Sequence, residues 1–359
     1  MSVSPIKERL PWLDALRGFT MILVVANHIS LNSFVENWKQ SAALSFLMLF
    51  RMPLFFFVSG FLSYRATQEW NRRTFTTLLL KKLRVQLVPT TFFFLLFCLL
   101  MHKHFLSTVE TYLMSNMKGG YWFTLVLLEM FIVYYLFAWM ESKLRLPSWL
   151  PVTLLLLLAL VGYETCYLPQ VFPWAEGHRH GSVEWMNMLS LSRLLMYFPF
   201  FVAGNIVRRY WNRVEHLFDS RWFFPLLLSL TLCAVVEDVK LHTLRMAWAN
   251  IPSTLAKFGI IGVVVIFFRH YQDHFSTANP VGRLLQSIGR RTLDIYLLHY
   301  FFFPHLPEVG AYLNRHQPNF AADIVLSSGF ALIVITFCLL VSRIIRVNPI
   351  LAKWLLGKA

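Results

Sequence analysis

The chain has 359 residues, of which 57% are hydrophobic, 16% aromatic and 14% charged, with 33 Lys and Arg against 18 Asp and Glu. Soluble domains carry about 25% charged residues, and a water-borne globule of this size could not hide so much apolar surface. Disordered, coiled-coil and disulfide-scaffold classes are excluded, which leaves a polytopic membrane protein.

A bilayer core about 30 Å thick takes roughly 20 apolar residues as helix. Ten such runs follow in chain order: 12–32, 42–64, 84–101, 121–140, 148–167, 186–208, 222–238, 252–269, 286–304 and 323–344. The third and seventh are short, and the ninth opens with Arg290 and Arg291. No hydrophilic stretch between them is long enough to fold alone. The expected fold is therefore all-α, a membrane helical bundle of about ten spans in one domain over 1–359, without a soluble domain.

With the N-terminus inside, 22 Lys and Arg residues fall in cytoplasmic segments and seven in outer loops; Arg17, Arg51, Arg193 and Lys257 lie within spans. The bias alternates loop by loop, as the positive-inside rule requires, and puts both termini in the cytoplasm. It also removes nucleic acid as a partner, because the net charge of +15 is accounted for by topology. The first run holds Asp14 and Arg17 and no small-x-small site follows it, so it is expected to stay in the mature protein. Cys98, Cys166, Cys233 and Cys338 sit in apolar runs and read as buried thiols. No metal site is expected: the pairs His102/His104 and His178/His180 read as solvated loop histidines without a third ligand. The lack of an internal repeat disfavours inverted-repeat transporters.

Charge inside a bilayer costs at least about 2.5–3.5 kcal/mol at mid-depth, so such residues are paired or functional. On the first span, Arg17 and His28 are eleven residues apart. That spacing returns them to one helix face about 16 Å apart along the axis. Asp14 lies one turn from Arg17 and can pair with it. An interfacial salt bridge plus a hydrogen-bonded helix histidine is the plain alternative. Arg51, Glu129 and Arg193 reach similar depth from the outer side, which points to a shared polar cavity or, more simply, to Glu129 neutralising one arginine. Tyr296 and His299 share a face at i, i+3. Lys81, Lys82 and Arg84 open the third span, as ordinary positive-inside charge or as a site for a phosphorylated ligand. Tyr121 and Trp122, after Gly119-Gly120, suit an aromatic belt as well as a substrate platform.

Four blocks carry a resemblance. Asp14-Ala-Leu-Arg17-Gly18 followed by His28 resembles the Arg-x10-His signature of integral-membrane acyltransferases of the acyltransferase 3 family. Met52-Pro53-Leu-Phe-Phe-Phe-Val-Ser59-Gly60-Phe61 is similar to its second-span motif, Lys81-Lys82-Leu-Arg84 to its basic motif, and Leu293-Asp294-Ile-Tyr296-Leu-Leu-His299 to its Tyr-Leu-x-His block. Order and spacing agree along the whole chain. The second motif looks most like the fucose-acetylase-like or exopolysaccharide branch. Two departures stand out: Lys81 replaces the usual Arg, which loosens a bidentate phosphate contact, and no C-terminal SGNH-type hydrolase domain follows.

The resemblance implies ten spans in a bacterial inner (cytoplasmic) membrane, and transfer of an acyl group, usually acetyl, from cytoplasmic acyl-CoA to a hydroxyl of a cell-envelope glycan or lipid-linked sugar. Acetyl-CoA is then a co-substrate, no cofactor is permanently bound, and the partners are lipid, acyl-CoA and the glycan acceptor. On this layout Lys81, Lys82, Arg84 and Arg17 hold the CoA phosphates. His28 is the general base, and Glu129 or Asp14 fixes its tautomer. Arg51 or Arg193 stabilises the oxyanion or the glycan, with Trp122, Tyr296 and His299 completing the substrate side. The competing class is a transporter or flippase for a lipid-linked sugar, its polar groups lining a proton-coupled path; a non-catalytic scaffold is a third.

Overall fold

A computed structural model describes residues 10–36, 41–101, 103–166, 184–243, 250–316 and 319–357, and every regular element among them is helical. Residues His102, His178 and His180 lie outside the described set.

Five of these helices are long and apolar enough to cross a bilayer, or six if the pair Trp211–Phe218 and Phe223–Val236, bent by 87°, counts as one. The five include Trp122–Glu141, Ile251–His270 and Phe320–Ile345. The outward faces of these and of the shorter apolar helix Trp149–Thr165 carry bare apolar side chains: Leu99 and Leu100, Leu157 and Leu158, Val325, Ile333, Phe337 and Ile344 are all exposed. Apolar surface of that extent belongs against lipid rather than water. Of the cysteines, Cys98 and Cys338 are buried and Cys166 is half-buried, but Cys233 is exposed on one of these faces, contrary to the reading of all four as buried.

Several expected spans take a different form. The run 84–101 is the second part of Arg72–Met101, in which Leu83–Leu87 forms a π-helical turn. The run 286–304 is not one helix. It breaks at Arg290 and Arg291 into Pro280–Gly289, Thr292–Leu298 and a 3-10 turn at His299–Phe302. Its polar groups explain the break. Arg290 turns back to Gln286, Thr292 accepts from Arg17, and buried Asp294 pairs with Arg346 and accepts from Ser342 at 2.6 Å. The first helix, Pro11–His28, likewise runs into a π turn at Ile29–Ser33. Such turns insert a residue and re-aim the side chains beside them.

The Pro11–His28 helix packs along Pro280–Gly289, and glycines set their separation. A Cβ on Gly18 would lie 1.9 Å from the Leu285 carbonyl oxygen, and one on Gly289 would lie 1.8 Å from that of Asp14. Small residues at a crossing let backbones touch, which is how membrane helices gain packing without a hydrophobic driving force between them. The broken segment that follows is thereby laid against the C-terminal half of the first helix.

Candidate active site

That docking brings two imidazoles together across 271 residues of sequence: His28 Nδ1 lies 3.1 Å from His299 Nε2. His28 ends the first helix and is half-buried, whereas His299 opens the 3-10 turn and is fully enclosed. Tyr300 and Phe303 flank the pair, their ring centroids 4.1 and 5.4 Å from that of His299. Histidine 28 therefore has His299 as its hydrogen-bonding partner, the role that the sequence had offered to Glu129 or Asp14.

Arg51 acts on His28 of this pair and Arg193 acts in turn on Arg51, both in aromatic surroundings. Arg51 acts electrostatically on both His28 and Tyr300, and its Nε is buried without a hydrogen-bond partner. Arg193 lies 5.3 Å above the Trp122 ring. Trp122 stacks on Tyr197, which stacks on Phe56 in turn, at 5.6 and 5.0 Å. Trp122 is thus a buried support for a cation rather than a member of an outer belt, and Tyr121 beside it is buried with its hydroxyl on the Leu297 carbonyl. Glu129 neutralises neither arginine through a hydrogen bond: among the described residues both of its buried oxygens lack one, and Lys118 is a cation that acts on it.

Lys118 shapes the turn that leads to Trp122. Its ammonium donates to the carbonyls of Leu113, Ser115 and Asn187 at 2.7–2.8 Å. Burial pulls this amine down to about 8, with Glu129 opposing the shift. Gly120 follows with φ +101, where a Cβ would collide with the Tyr300 hydroxyl at 2.1 Å; its carbonyl accepts from Tyr296 at 3.2 Å.

A cavity of about 290 Å³ occupies the other half of the bundle. Arg17, Arg65 and Lys82 supply its charge, Gln68, Gln86, Ser59 and Ser63 its neutral polar groups, and Trp70, Phe131 and Tyr135 aromatic walls. Arg17 is held there by Thr292 at 2.9 Å and by Asp14 at 3.7 Å, and Asp14 is shared with Arg290 at the same distance. Phe123 and Tyr296 also line the cavity, and the Tyr296 ring is 6.1 Å from that of His299. The cavity thus extends to within one aromatic ring of the paired imidazoles.

Of the basic block, only Lys82 lines this space; Lys81 and Arg84 are exposed elsewhere on the helix. Helix geometry accounts for the separation: successive residues point about 100° apart and residues two apart nearly opposite, so Lys81 and Arg84 leave the face of Lys82, while Val85 and Gln86 of the π turn at Leu83–Leu87 also line the cavity. Arg65, Gln68 and Trp70 were not singled out in the sequence. Arg65 carried only the signature of a cytoplasmic loop charge, and Trp70 no signature at all. Among the described residues no cluster of His, Cys, Asp and Glu is placed to hold a metal.

A second polar cluster lies just beyond the first helix. Asp323, at the start of Phe320–Ile345, accepts from Ser41 at 2.6 Å and from Ser30 at 3.3 Å. Buried Glu36 stands beside it, and burial followed by the Asp323 carboxylate pushes the Glu36 carboxyl up to about 8.

Residues 10–345 match a family model described as an acyltransferase domain, that of the acyltransferase 3 proteins. No curated protein and no solved structure matches the chain.

Proposed function

The chain belongs to the acyltransferase 3 family and is a membrane acyltransferase, and from that premise we propose that it moves an acetyl or other short acyl group from cytoplasmic acyl-CoA to a hydroxyl of an exported or envelope glycan. The observation that carries this reading is the His28–His299 pair, one ring half-accessible and the other enclosed, set one aromatic ring beyond a cation-lined cavity. In this reading the chain crosses the bacterial inner membrane about ten times, with both termini cytoplasmic and the cavity opening to the donor side. A cavity of about 290 Å³ is far too small for a whole acyl-CoA. It suits the pantetheine arm, with Arg65, Lys82 and Arg17 meeting the phosphates and carbonyls along it.

An alcohol is a poor nucleophile at neutral pH unless a base takes its proton as the new bond forms. His28 removes the hydroxyl proton of the acceptor while that oxygen attacks the thioester carbon. The carbonyl oxygen becomes an oxyanion, and Arg51, which acts electrostatically on this ring, is placed to stabilise it. The C–S bond then breaks, the ester is formed, and the departing thiolate recovers the proton from His28.

Membranes containing the protein, given acetyl-CoA labelled in the acetyl group, test the proposal. Label in an extracted glycan or lipid-linked sugar, lost in the His28→Ala variant at equal expression, is the expected result. Substrate movement across vesicles without consumption of acetyl-CoA would replace the enzyme with a transporter.

A further inference from the structure

We infer that His299 is a positioning residue that sets the tautomer of His28, leaving Nε2 of His28 as the nitrogen that accepts the proton. The inference rests on the reaction just proposed for His28, but its geometric argument needs only the two rings and two carbonyl groups.

His299 Nδ1 lies 2.8 Å from the carbonyl oxygen of Tyr296 and 3.1 Å from that of Ile295. A carbonyl oxygen only accepts hydrogen bonds, so this nitrogen carries a hydrogen. Nε2 of the neutral ring is then a bare lone pair. It faces Nδ1 of His28 at 3.1 Å, and that contact is a hydrogen bond only if His28 Nδ1 is the donor. One proton per neutral ring leaves His28 Nε2 unprotonated. Two backbone carbonyls in the last turn of the Thr292–Leu298 helix thus determine which nitrogen of a second ring is basic.

The arrangement has the logic of a catalytic triad in which the third group orients the base and holds its tautomer. Here the orienting group is a neutral imidazole. Its enclosure, at 0% exposure with Tyr300 and Phe303 against it, prevents the ring from turning over and presenting its N–H instead. During transfer the acceptor's proton joins His28 Nε2 and leaves with the thiolate. The proton on Nδ1 stays in its bond to His299 throughout.

The experiment uses the full-length protein in lipid nanodiscs with ¹⁵N-labelled histidine. His28 signals are assigned by their loss in His28→Ala, and acetyl transfer is measured on the same preparations. Wild type is expected to show His28 protonated at Nδ1 and bare at Nε2. His299→Gln, whose amide oxygen can accept the same hydrogen bond, should keep that pattern and retain activity within about tenfold. His299→Leu should scramble the tautomer and lower kcat by about 100-fold or more, with KM for acetyl-CoA within about twofold. His28 protonated at Nε2 in wild type, or wild-type kcat in His299→Leu, would overturn the assignment. Should His299→Leu fail to fold, the wild-type spectrum and His299→Gln still decide. The expected spectrum with full activity in His28→Ala would instead remove the proposed base and leave the pairing intact.

Discussion

Gly60 rests so closely on the carbonyl oxygen of Phe201 that a Cβ added to it would stand 1.8 Å away. The approach is reciprocal, since one on Gly204 would stand 1.9 Å from the Phe57 oxygen. Ala42–Ser63 and Leu191–Arg209 are therefore locked backbone to backbone, and they carry Arg51 and Arg193. Gly60→Ala should force them apart and cost at least the roughly 1–3 kcal/mol of an overpacked core. Thermal unfolding in detergent measures it, with Gly329→Ala, where nothing lies within 4 Å of the added atom, expected to be nearly silent.

Buried Asp294 pairs with half-buried Arg346 between the broken segment and the end of the last long helix. Removing one member of such a pair strands the other, at about 3–5 kcal/mol. Arg346→Ala should be severely destabilised, and Asp294→Asn combined with Arg346→Met should recover most of the loss. A double-mutant cycle on melting temperature reads the difference. Because the broken segment carries His299, the single variant should also lose acetyl transfer.

The cations near Lys82 separate by position, Arg65 and Lys82 lining the cavity and Lys81 and Arg84 exposed. Arg65→Ala and Lys82→Ala each remove a charge from the cavity and should raise KM for acetyl-CoA about tenfold or more. Lys81→Ala and Arg84→Ala remove exposed charges and should leave it within about twofold. Equal effects from all four would show that the cavity is not where the donor binds.

Glu36 gives the stability a pH dependence. Its carboxyl is raised from 4.5 to about 8, so between those values the folded protein holds a proton that the unfolded chain has released. Stability must then fall as pH rises through that window and level off above it. Melting curves from pH 5 to 9 should show the decline in wild type and a flatter profile in Glu36→Gln.

Much of the site was legible because a charge in an apolar run is conspicuous: Arg17, His28, Arg51, Glu129 and Arg193 all announce themselves that way. Their partners did not. Nothing near His28 in sequence names His299, because the contact depends on glycine-spaced docking of segments 271 residues apart. Lys81, Lys82 and Arg84 looked equivalent because a run of charges does not say which helix face meets a cavity, and of the three only Lys82 faces it. The break after Gly289 was foreshadowed by Arg290 and Arg291, which fit poorly inside a span. Arg65 escaped notice because a loop arginine looks the same whether it marks topology or binds a ligand.

Tyr296 stands between the cavity and the imidazole pair, its hydroxyl tied to the Gly120 carbonyl. If the chain hands an acyl group across the membrane as proposed above, it faces two leaks: thioester wasted on stray solvent, and protons slipping down their gradient along a continuous water file. A single phenol ring at the junction would guard against both. On the same reading, turnover would wait on displacement of that ring.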